Sequence, residues 1–198
     1  MEVKREGGTP EWIRAHESLT LVHGGKEVPI KMMTMARSPK SNGVIDAEIV
    51  VVKMESVAYK MGKNKLSCKI LVIVEPKDIN ARSFHDRLGI ALAGTRVDAA
   101  AVLYVPNIPG TPAESLYDGM VWPVSIPAAT ITQKDGDYLQ KLYDEAVEKP
   151  NEFKMPRMKL ITESYVKPEP AIGNNIIAEI KGRESPEKIV LLKAKLNP

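Results

Sequence analysis

Three histidines, His16, His23 and His85, and one cysteine, Cys68, carry the side chains in this 198-residue chain best suited to hold a metal or attack a carbonyl. None stands in a pattern that such chemistry requires. The histidines are far apart in sequence, with no Cys, Asp or Glu beside them at the spacing of an HExxH or CxxC site, so each is expected to be a surface or hydrogen-bonded histidine. His85 adjoins Asp86 and Arg87, a combination that suits solvated charge. Cys68 lies inside the apolar run LSCKILVIV without a neighbouring base, and a buried structural thiol is expected there. Gly24, Gly25 and Lys26 lack the spacing and the strand-to-helix context of a phosphate loop and read as a turn. No GxSxG elbow, Walker loop or GxGxxG fingerprint occurs, and Asp135 and Asp137 are accounted for as first-turn acids of a helix, where carboxylates meet the positive end of the dipole. No catalytic residue and no cofactor is therefore assigned from these motifs.

Composition narrows the remaining classes. With 43% apolar residues the chain can bury a full core. Its 28 basic and 25 acidic residues are interspersed, with no block of like charge and no basic stretch threaded by aromatics, which speaks against nucleic acid as the partner. One cysteine excludes an internal disulfide framework. The opening MEVKREGGTPEW has no signal-type apolar segment, and no run approaches the ~18 apolar residues of a membrane span. The chain as given is expected to be soluble, and its compartment is left open.

The elements that must position any site follow from periodicity. LTLV (19–22) and VPIKMMTMA (28–36) flank the turn HGGKE and predict a strand arm. VIDAEIVVV (44–52), KLSCKILVIVE (65–75) and AAAVLYV (99–105) read as buried strands. Between the last two, Phe84, Leu88, Ala91, Leu92 and Thr95 recur at helical spacing. VWPVSIPAATI (121–131) carries two prolines, which suits an edge or irregular strand. Thr132 followed by Asp135 resembles a capping box, and Tyr138, Leu139, Leu142, Tyr143 and Ala146 give the helix it opens a buried face that ends at Lys149–Pro150. PRMKLITESYV (156–166) is a further strand, expected to pair with the arm of residues 18–36, and NIIAEI and KIVLLKAKL form a terminal hairpin.

This succession resembles a known family. KILVIVEP, the alanine-rich helix ending LAGTRVDAAAVLYV, and SIPAATITQKDGDYLQKLY are similar over residues 43–148 to the protease-associated (PA) domain, whose usual run is a GKIV strand, a helix ending near a Gly-Ala pair, an AVL strand and IPA before a capped helix. Cys68 stands where the glycine of GK usually lies. The tail NIIAEIKGRESPEKIVLLKAKL resembles the opening hairpin of the peptidase domain in zinc aminopeptidases of the transferrin-receptor and glutamate-carboxypeptidase type, in which a PA domain is inserted as a lid.

In that family the second strand runs into GAHLDS, whose His and Asp are ligands of a zinc pair. The matching positions here are Lys193 to Pro198, with Lys195 in place of the histidine and Asn197 in place of the aspartate. An ammonium has no lone pair to give at neutral pH, and an amide has no anionic oxygen to bridge two dications. On IVLLKAKL the period of two sets Lys193 and Lys195 on one face, which suits water rather than a covering helix.

The resemblance implies an α/β fold of the PA-like swivelling β/β/α type, with mixed sheets, about two main helices and a C-terminal β-hairpin. It divides the chain into an N-terminal strand arm (1–42), a PA-like domain (43–150) and a returning strand with hairpin (151–198) resembling the start of a peptidase domain. The expected function is a non-catalytic module that binds a protein or peptide, as a lid or regulatory subunit related to zinc aminopeptidases. The alternative is the lid portion of a split aminopeptidase whose zinc domain is supplied by another chain. Neither catalytic residues nor metal ligands are expected, Lys195 and Asn197 being lost ligand positions. The recognition residues expected on the loop 107–122 are Tyr117 and Trp122, although Trp122 suits a core position as well. Expected partners are a protein or peptide, a peptidase domain in trans, and a second copy of the chain through the terminal hairpin by strand addition; no membrane span is expected.

Overall fold

The computed structural model describes residues 10–53, 58, 60–75, 94–107 and 125–170. Their elements are β1 (Pro10–His23), β2 (Lys26–Ile30), β3 (Met32–Thr34), β4 (Ile45–Val52), α1 (Lys63–Leu66), β5 (Ile70–Val74), β6 (Ala101–Val105), β7 (Ala128–Ile131), α2 (Gln133–Glu148) and β8 (Arg157–Pro170). The fold is mixed α/β. The C-terminal hairpin expected over residues 174–196 and most of the helix expected over residues 80–96 lie outside the described residues.

One eight-stranded order, β2-β1-β8-β4-β5-β6-β7-β3, runs through the molecule. The strand β4 joins its two halves. Ile45–Glu48 pair antiparallel with β8, while Ile49–Val52 pair parallel with β5. The mixed sheets expected from the sequence are thus continuous through β4. Strands β4 to β7 are parallel and follow one another in sequence order. Their side chains alternate between two faces, and α1 and the turn before β6 lie on one of them. Leu66 of α1, Val97 and Ala99 are buried on that face with Val50, Val52, Leu71, Ile73, Val102 and Tyr104. The alternate residues Ile49, Val51, Ile70, Val72, Ala101, Leu103 and Val105 turn to the other face, where Leu139 and Leu142 of α2 and Leu19, Leu21, Met158 and Leu160 of β1 and β8 cover them. Because both faces are covered, β5 and β6 carry an unbroken apolar run rather than an alternating one.

The arm behaves in two parts. Leu19–Val22 of β1 pair with Arg157–Leu160 of β8, as expected, whereas β3 leaves the arm after Lys31 and pairs with β7. Only Lys31 separates β2 from β3, yet these strands hold opposite ends of the sheet order. The sheet must therefore curl until its two edges meet, with the Leu19–Leu160 core inside the curl.

Two local expectations are corrected. Residues 63–66 are helical and β5 starts only at Ile70, so Cys68 is not a strand residue inside the core. It is an exposed turn residue with φ 60°. The apolar letters of KLSCKILVIVE concealed a helix end whose turn needs a left-handed residue. On α2, Tyr138 is 47% exposed and the buried stripe is completed instead by Gly136 with Leu139, Leu142 and Ala146. Gly136 lies so close to β6 that a Cβ there would overlap Val105 Cγ1 and sit 2.8 Å from its Cγ2. Among the described residues no helix is long and apolar enough to cross a membrane.

Candidate functional site

Parallel strands deliver their carboxyl ends to one edge of the sheet, the edge at which α/β folds bind ligands. Here β5 ends into Glu75, β6 into Pro106 and Asn107, and β7 into Thr132, the N-cap of α2. These residues form one corner. Glu75 is 7% exposed, and its Oε2 accepts hydrogen bonds from Tyr104 Oη and from the Asn107 amide, each at 2.9 Å. The Glu75 amide in turn donates to the Val105 carbonyl at 3.0 Å. A buried carboxylate is costly unless donors offset its lost hydration, and these two donors come from the neighbouring strand and from Asn107, two residues beyond its end. Asn107 Oδ1 accepts a longer bond of 3.4 Å from Gln133 Nε2, which ties the corner to the first turn of α2.

The start of α2 is built as the sequence indicates. Thr132 Oγ1 accepts from the Asp135 amide at 3.1 Å and donates to Asp135 Oδ2 at 2.5 Å, so donor and acceptor are satisfied reciprocally. Asp135 faces the positive end of the helix dipole. With that end already met by a side-chain carboxylate, the corner is a hydrogen-bonded scaffold and not a vacant anion cradle.

The expected recognition loop leaves from this corner, because Asn107 is its first residue. Tyr117 and Trp122 themselves lie outside the described residues, as do Lys195 and Asn197. His16 and His23 both stand on β1, His16 exposed and His23 partly buried, and His85 lies outside the described residues. Among the described residues no group of three or more His, Cys, Asp or Glu side chains converges as a metal cluster. The group the sequence did not single out is the Glu75–Tyr104–Asn107 network. Its one signal is an acidic residue ending an otherwise apolar strand, KILVIVE.

A second constellation joins the curled edges. The Thr34 amide donates to Glu17 Oε2 at 2.8 Å, and the Thr34 carbonyl accepts from Arg14 Nε and Nη2 at 3.1 and 3.0 Å. Nearby, Ser38 binds three elements. Its carbonyl accepts from Trp12 Nε1 at 3.3 Å and Ser164 Oγ at 2.8 Å, and its Oγ accepts from the Ala128 amide at 2.8 Å.

No protein-family model matches the sequence, and no curated protein matches it significantly. Solved structures do show similarity to it. A peptidase M28 precursor from Shewanella amazonensis SB2B superposes with a TM-score of 0.58 at 15% identity, over 80% of this chain and 36% of its own length. An aminopeptidase from Aneurinibacillus sp. strain AM-1 aligns at 21% identity over 81% of this chain and 36% of its own, with a TM-score of 0.49. The zinc aminopeptidase BSAP from Bacillus subtilis aligns at 16% identity over 79% of this chain and 33% of its own, with a TM-score of 0.45. This chain therefore spans about a third of the length of these proteins, and what it shares with the first of them is an α/β fold.

Proposed function

We propose that this chain is a non-catalytic PA-type module related to the zinc aminopeptidases, which binds a protein or peptide as a lid or regulatory subunit. The observation that carries this reading is the fold shared with part of the M28 peptidase precursor over most of this chain. The turn at Cys68 supports the PA assignment. The resemblance puts a glycine at this position, and Cys68 holds the left-handed angle, φ 60°, that glycine adopts without steric cost. The Glu75 corner supports a recognition role for the loop that starts at Asn107, since a rigid scaffold fixes where the loop departs.

Zinc chemistry does not fit the residues at the matching tail positions. Lys195 offers an ammonium and Asn197 a neutral amide, and no catalytic step is assigned to them. A peptidase domain in trans and a second copy docked through the terminal hairpin are further partners of this reading. Alanine at Tyr117 and Trp122 tests the loop. Both changes together should abolish capture of extended peptides from an immobilised random peptide library while leaving the unfolding temperature unchanged, and unaltered capture would remove the site from the loop.

A second reading is a lid whose zinc-bearing catalytic half is supplied by another chain. The discriminating experiment adds an isolated M28 peptidase domain to this chain. Altered aminopeptidase turnover on mixing supports a split enzyme, and unchanged turnover supports a free-standing binding module.

A further inference from the structure

We draw no further inference here: the strongest candidate, the exposed apolar end of the β1–β8 ribbon where Tyr165 and Val166 stand opposite Ile13 and Trp12, carries none because nothing among the described residues shows what covers it.

Discussion

The amide of Cys68 donates a 2.9 Å hydrogen bond to the carbonyl of Asp98, and both residues hold left-handed backbone angles, φ 60° and 55°. Each closes a helical segment just before a parallel strand. At Asp98 the closure is a Schellman turn, with the Ala99 amide on the Gly94 carbonyl at 3.0 Å and the Asp98 amide on the Thr95 carbonyl at 3.2 Å. The Ala100 amide then returns to the Lys69 carbonyl at 2.8 Å, and Lys63 Nζ reaches Asp98 Oδ2 at 2.8 Å. The two helix ends are thereby fastened together, which sets the register in which β5 and β6 begin.

Left-handed geometry costs a non-glycine residue about 1–2 kcal/mol. Cys68→Gly should relieve that strain, less the entropy that glycine adds to the unfolded chain, for a net gain of up to about 1 kcal/mol. Cys68→Val should instead lower stability, because a β-branched side chain fits this angle worst. Chemical denaturation of both variants checks the opposite signs.

Gly136 lets α2 approach β6. Gly136→Ala places a methyl group against Val105, and overpacking of about 1–3 kcal/mol should exceed the roughly 1 kcal/mol by which alanine favours a helix. Combining it with Val105→Ala should recover part of the loss. A double-mutant cycle reads that coupling directly, and additive effects would mean that the helix stands further from the strand than the structure places it.

Glu75 joins β5 to β6 through Tyr104 and Asn107. Tyr104→Phe removes one donor to a charged acceptor and should cost about 1.5–3 kcal/mol. Glu75→Ala leaves the Tyr104 hydroxyl and the Asn107 amide without their acceptor in a buried setting and should cost more, about 2–4 kcal/mol. The two changes share one contact, so their sum should exceed the loss in the double variant.

Alkaline pH weakens the fold from three positions. Burial, with a smaller contribution from Asp144, raises the Tyr143 hydroxyl above its usual value. The hydrogen bond to Glu27 raises Lys159, and the bond to Glu11 raises Lys167. In each case the folded chain holds its proton to higher pH than the unfolded chain. The stabilisation is therefore complete below the ordinary values, about 10 for Tyr and about 10.4 for Lys, and is lost as pH rises through the folded values. Unfolding temperature should fall above pH ~10, and Tyr143→Phe should flatten the first part of that decline. A slope unchanged by Tyr143→Phe would show that the hydroxyl titrates alike in both states.

Sequence patterning located those elements whose cause is local. Thr132 and Asp135 announced the start of α2 because both partners of the cap lie within four residues. The runs at 44–52 and 99–105 announced β4 and β6 because strands covered on both faces are apolar throughout. Around Cys68 the same apolar signal misled, since the letters of a helix end and of a buried strand overlap and only the backbone angle tells them apart. The corner at Glu75 lay beyond reach for another reason. Its donors stand 29 and 32 residues away, and nothing local to KILVIVE names them. The seam at Thr34 depends on a bulge in β1, which periodicity does not register.

Metal content and aminopeptidase turnover of the isolated chain test the central claim most directly. The chain, exchanged into zinc-containing buffer and then freed of excess metal, should retain no stoichiometric zinc by elemental analysis and should not hydrolyse leucine p-nitroanilide. Stoichiometric zinc together with turnover that a chelator abolishes would contradict a non-catalytic module.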